Sequence, residues 1–100
     1  MDIKYHDSSV VVSGGTGSAT VTVIGGSRYE VQLTIIDAAT DTKRYDYVIK
    51  DKDSYVVAGR PGLIGDNSIQ ESVSLFGNFS ITISGDDGTY AVRHWLKYHT

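Results

Sequence analysis

One hundred residues with a formal net charge of −3 and no cysteine make a single domain, residues 1–100, able to bury one real core. The charge balance withholds the positive field that a nucleic-acid backbone requires, and the missing thiols exclude disulfide staples, thiolate zinc sites and cysteine nucleophiles together. No run approaches the ~20 apolar residues of a membrane-spanning helix, and the opening Met-Asp-Ile-Lys-Tyr-His lacks the apolar stretch of a signal peptide, so no membrane insertion is expected.

Val, Ile, Thr, Tyr and Ser crowd the chain and proline occurs once, at Pro61, a composition that favours sheet. Period-two alternation predicts strands over Ser8 to Ser13, Ala19 to Ile24, Tyr29 to Asp37, Arg44 to Lys50, Tyr55 to Ala58, Ile69 to Phe76, Asn78 to Ser84 and Thr89 to Lys97, with Asp2 to His6 as a further edge strand. In the third of these, Tyr29, Val31, Leu33 and Ile35 fall on one face and Glu30, Gln32 and Thr34 on the other, the pattern of an antiparallel sheet with one wet side. Gly- and Asp-rich turns separate the strands. The longest irregular piece, Gly59 to Asn67, reads as a loop over one end of the sheets and is the first candidate for a functional loop.

The last quarter is the clearest stretch. Phe79, Ile81 and Ile83 alternate with polar residues, Gly85-Asp86-Asp87-Gly88 follows, and Tyr90, Val92, His94 and Leu96 alternate again. The spacing predicts a hairpin with Ile83 opposite Val92, Ile81 opposite His94 and Phe79 opposite Leu96. Strands without helical periodicity predict an all-β fold: an antiparallel two-sheet sandwich of about seven to nine short strands, immunoglobulin-like or jelly-roll-like, with a small barrel as the other closure.

Asp86-Asp87-Gly88-Thr89-Tyr90-Ala91-Val92 resembles the D-x-G-x-Y-x-C signature of immunoglobulin variable-type domains, with Val92 where the second cysteine would stand. Gly17-Ser18-Ala19-Thr20-Val21-Thr22-Val23 resembles that family's second strand, with Val23 in place of the first. The resemblance implies a sandwich whose core holds a valine pair where the family has its disulfide. The chain departs from the family pattern in two places: few residues separate Ile83 from Tyr90, and only four follow Leu96.

Catalytic chemistry finds little footing. The three histidines, His6, His94 and His99, sit near the ends and no Gly-x-Ser-x-Gly elbow occurs, so His94 is expected as a strand residue and His6 and His99 as solvated ones. The acidic pairs Asp51-x-Asp53, Asp66-Asn67 and Asp86-Asp87 miss calcium-loop spacing and read as turn carboxylates. Glu71 alternates in phase with Ile69, Val73 and Leu75, which sets it at a rim or against a cation. Gly14-Gly15-Thr16-Gly17 reads as a turn and Asn78-Phe79-Ser80 as a chance sequon. No enzyme, cofactor or metal is expected.

Seven tyrosines and one tryptophan supply amphipathic rings suited to contact surfaces. Trp95 alternates with Ala91 and Arg93 and is expected to point outward beside Lys97 and Tyr98. The candidate binding residues are Trp95, Tyr98, Arg93, Lys97 and Tyr47. The function this pattern supports is a non-catalytic protein-interaction or assembly module of structural or adhesion type, such as a virion or surface-appendage subunit, meeting a protein or another copy through edge strands. The alternative is a carbohydrate-binding module that stacks sugars on the exposed aromatics. The compartment is left open.

Overall fold

The computed structural model describes residues 2–26 and 28–99. Eight strands follow one another: β1 (Asp2–Val12), β2 (Thr16–Val21), β3 (Arg28–Asp37), β4 (Arg44–Lys50), β5 (Val56–Ile64), β6 (Asn67–Phe76), β7 (Phe79–Gly85) and β8 (Gly88–His99). They form two four-stranded antiparallel sheets, ordered β1-β8-β3-β6 and β2-β7-β4-β5. The pairs β1–β8, β2–β7, β3–β6 and β4–β5 describe one long antiparallel ribbon folded at the β4–β5 turn. Rolling it up adds β3–β8 and β4–β7. That arrangement is a jelly roll.

The strand order corrects the immunoglobulin expectation, because immunoglobulin sheets join their strands in a different order and here β8 lies between β1 and β3. What the Asp-x-Gly-x-Tyr resemblance detects is local. The Tyr90 hydroxyl donates back to the Asp86 carbonyl at 2.7 Å, the corner hydrogen bond that such a tyrosine makes at the start of a strand.

The expected hairpin at the end of the chain is also corrected. β7 and β8 belong to opposite sheets, so Ile81 lies beside Ala19 and Ile49, and His94 beside His6 and Thr34. Both inward rows were correctly phased, yet they meet across the sandwich: Phe79 presents an edge-on contact to His94 with ring centroids 5.1 Å apart. The chain changes sheets at Gly85, whose φ is +152° and whose added Cβ would lie 2.3 Å from the Arg44 carbonyl oxygen, a corner that excludes side chains.

Only β4 and β5 form a sequential hairpin within one sheet. Asp51 organises it: its N–H donates to the Tyr55 carbonyl, and its Oδ1 accepts the N–H groups of Asp53 and Tyr55, each at 2.9 Å. This is the turn carboxylate expected from sequence. The predicted Gly59–Asn67 loop is instead the second half of β5 and a tight turn, with Tyr45 opposite Leu63 and Arg44 opposite Ile64. Two register shifts and Pro61 make this edge strand irregular, which is why its glycines and proline read as loop.

In β3 the register shifts between Val31 and Leu33: Val31 pairs with Leu96, but Leu33 with Trp95. The extra residue reverses the alternation. Tyr29, Val31, Thr34 and Ile36 face inward and are buried, whereas Leu33 and Ile35, expected in the core, turn to the outer face and are half-buried. The core is closed from the other sheet by Val21, Tyr45, Tyr47, Ile49, Phe79, Ile81 and Ile83.

Candidate interaction face

The outer face of the β1-β8-β3-β6 sheet is built from rows that run across the strands. Tyr5, Trp95, Leu33 and Gln70 form the central row. On one side lie Ile3, Lys97, Glu30 and Ser74, and on the other Asp7, Arg93, Ile35 and Ser68. Ile3 and Tyr5 are exposed at 53% and 58%, and Trp95, Leu33 and Ile35 are half-buried. Five large apolar side chains are therefore contiguous on a face that no other element among the described residues covers, the kind of patch that marks a contact surface. The register shift in β3 brings Leu33 and Ile35 there.

The patch is bordered by charge that is already matched. Arg93 grips Asp7 through two hydrogen bonds, Nε to Oδ1 at 2.6 Å and an Nη2 bond to Oδ2 at 2.9 Å, and this hydrogen bonding holds the Asp7 carboxyl below its ordinary range. The same guanidinium lies 5.5 Å from the Tyr5 ring centre. Tyr5 packs on Trp95 at 5.1 Å with a 42° tilt. Further out, Arg28 stands over the ring of the exposed Phe76 at 5.8 Å.

Of the five residues singled out from sequence, Arg93, Trp95 and Lys97 lie together on this face. Tyr98 and Tyr47 do not. Tyr98 is the inward neighbour of Lys97 on β8; it is buried, with its hydroxyl 3.0 Å from His6 Nε2 and 3.3 Å from the Ile24 N–H. His6, expected in solvent, is thereby half-buried, and burial lowers its pKa. Sequence reading missed Ile3, Tyr5, Leu33 and Ile35. The first two were legible as the outward phase of β1 once that strand is extended to its full length.

Tyr47 belongs to a polar network that runs from the half-buried Glu71 into the core of the sandwich. Its hydroxyl donates to Glu71 Oε2 at 3.0 Å, and Thr34 donates to the same oxygen at 3.2 Å. Thr34 Oγ1 is then left to accept from His94 Nδ1–H at 3.0 Å, which selects that tautomer. His94 Nε2 is buried with no hydrogen-bond partner and remains a bare lone pair. Burial pushes the Glu71 carboxyl up and brings His94 down to about 4. A histidine, a hydroxyl and an acid are thus present in one cluster, but the acid takes its proton donor from the hydroxyl rather than orienting the imidazole, and His94 and Thr34 are fully enclosed. The cluster is a core brace.

Among the described residues no group of three or more His, Asp or Glu side chains is arranged to hold a metal ion. The other sheet has a different outer face, where Thr16, Ser18 and Thr20 pair with Ser84, Thr82 and Ser80. Its β2–β7 half is a hydroxyl surface, with Ser18 and Thr82 bonded at 2.8 Å, and β4 adds Asp46, Val48 and Lys50 beside it.

No protein-family model matches the chain, and no curated protein matches it in sequence. Among solved structures, the NLP-core of Drosophila is similar at 14% identity with a TM-score of 0.54, the alignment covering 97% of this chain and 99% of that one. That structure is described as giving insight into pentamer formation and histone binding. A chain of infectious bursal disease virus, Gt strain, aligns at 11% identity and a TM-score of 0.48 over 97% of this chain and 31% of its own. The extra small virus (XSV) VLP of the giant freshwater prawn Macrobrachium rosenbergii aligns at 15% and 0.32, covering 98% and 79%. At such identities the NLP-core likeness concerns fold alone, and the two viral alignments add nothing to it.

Proposed function

We propose that this chain is a non-catalytic assembly or protein-interaction module of structural or adhesion type, a virion or surface-appendage subunit being one such setting, and that it meets its partner through the outer face of the β1-β8-β3-β6 sheet. The observation that carries this reading is the apolar row Tyr5–Trp95–Leu33 with Ile3 and Ile35 beside it. An aromatic and aliphatic centre bordered by paired charges is the anatomy of a protein–protein contact. The NLP-core, similar over its whole length and described in connection with a pentamer, is compatible with assembly as a use of this fold.

The edge strands support the reading less than the face does. Of the four edge strands, three carry devices that discourage strand addition: β2 is short, β5 is interrupted by register shifts and Pro61, and β6 carries the inward-pointing Glu71, which leaves the 11-residue β1 as the open edge. A sugar platform is also disfavoured, because stacking wants flat, open ring faces. Here Tyr5 and Trp95 tilt against each other and Arg93 covers Tyr5.

Sedimentation velocity across the micromolar range tests the reading, with emission from the single tryptophan as a reporter of the face. The sedimentation coefficient is expected to rise with concentration while Trp95 emission shifts to the blue. A coefficient and an emission maximum that stay constant to high micromolar concentration would refute self-assembly.

A further inference from the structure

Charge on the candidate face has a symmetry that the apolar patch alone does not require. Six ionised residues lie on it: Arg28, Arg93 and Lys97 against Asp7, Glu30 and Asp37. The face is neutral, so the chain's net −3 resides elsewhere. The two rows next to the centre are each internally matched, Lys97 facing Glu30 across the strands and Arg93 bonded to Asp7. The unmatched charges are Arg28 and Asp37, at opposite ends of β3.

Their positions are measured by β8. Arg28 is opposite His99 and Asp37 opposite Ala91, so each stands four β8 residues from Trp95, on opposite sides of the central row. Without the register shift in β3, the two would not be equidistant. A two-fold axis laid along the row Tyr5–Trp95–Leu33 and parallel to the face turns one copy over onto another and reverses its strands. The Arg28 end of β3 then meets the Asp37 end of the second copy's β3, twice in one dimer.

We infer that the occupant of this face is a second copy of the chain, docked face to face about a two-fold axis through the Trp95 row, with Arg28 opposite Asp37 at both ends. The inference rests on the assembly reading above and names its partner and geometry. An isologous contact demands a surface that is its own complement: the face is neutral, its unmatched charges on β3 are opposite in sign and equidistant from the apolar centre, and where the same rotation brings Arg93 over the second copy's Lys97, the adjacent Asp7 and Glu30 leave that cluster neutral. The size is sufficient. Four strands at ~4.8 Å spacing and ~30 Å of strand length give a footprint of about 600 Å² per copy, and the resulting ~1,200 Å² lies at the lower end of specific interfaces. Matching Asp7 with Arg93 beforehand lowers the cost of taking both out of water.

Charge exchange tests the geometry. Arg28→Asp and Asp37→Arg are expected each to weaken self-association at least ~10-fold, since each places two pairs of like charges in register. An equimolar mixture of the two variants is expected to recover a dimer, because every like-charge contact is then replaced by an opposite one. Asp37 also accepts the Ala39 N–H at 2.8 Å, so Asp37→Asn, which retains an acceptor, serves as the companion variant, and thermal melts check folding. Recovery by mixing, with a dimer as the end point, supports the proposal. If Tyr5→Lys abolishes association while the charge variants and their mixture leave it unchanged, the two-fold geometry is wrong and the assembly reading stands. An end point larger than a dimer has the same meaning. A wild-type chain that stays monomeric overturns the dimer and self-assembly together, and leaves the face to a different protein.

Discussion

His94 is enclosed between Thr34, on its own sheet, and the edge of Phe79, from the other, and it carries no charge because neither neighbour can solvate one. The other ionisable groups around it are His6 on β1, whose charge adds to the depression, and Glu71 on β6, reached through Thr34, with Tyr47 beyond. The folded imidazole has a pKa of about 4 against an ordinary 6.5, so below pH 6.5 the unfolded chain binds a proton that the native one refuses. Stability is therefore expected to fall as pH drops from 6.5 toward 4, by about 3 kcal/mol in all from this residue. Half-buried His6, also lowered, acts in the same direction. Glu71, raised by burial, acts oppositely, since its protonation as pH falls through its folded pKa toward 4.5 relieves a native-state cost. Melting temperatures recorded from pH 7.5 downward should decline, and His94→Gln should flatten the decline. Parallel curves for the two proteins would remove His94 from this account.

At the scale of elements, β3 decides both the core and the surface. An uninterrupted strand would bury Leu33 and Ile35. The shift at Gln32 buries Thr34 and Ile36 instead, supplies Thr34 to the His94 network and leaves Leu33 and Ile35 beside Trp95. Ile36→Ala is accordingly expected to cost about 2–5 kcal/mol, while Ile35→Ala at the half-buried outer position should cost well under half of that. Urea titrations of the two variants give the comparison, and the reverse ranking would mean that the alternation runs unbroken. Strand identities were legible where turn residues and period two survive, as in β4, found with the bounds expected, and least so in β5, whose second half read as loop. Partners were not legible, since Gly85-Asp86-Asp87-Gly88 has the same chemistry whether the chain turns back in its own sheet or crosses to the other. Nor was the β3 shift, which no glycine or proline announces. The face was readable on β8, where Arg93, Trp95 and Lys97 alternate, and unreadable on β3 for that reason.

For the molecule as a whole, the ribbon that joins β1 to β8 makes the earliest and latest segments of the chain neighbours, with Asp2 opposite Tyr98. Nearly every strand must wait for one distant in sequence, and only β4 and β5 can pair locally. Folding on the millisecond-to-second scale follows from that topology. The two outer faces then differ in kind: hydroxyls over β2 and β7, aromatic and aliphatic groups over β1, β8 and β3. Because Asp2 lies opposite Tyr98, a short Gly-Ser linker can join β8 to β1 and new ends can be opened at residues 52–54, between β4 and β5, without removing any strand. Such a circular permutant should regain the native circular dichroism spectrum, and its β4 and β5 would become the terminal pair. Its tags would then emerge at the far end of the ribbon, so that cargo could be carried at either pole of the same barrel-less roll.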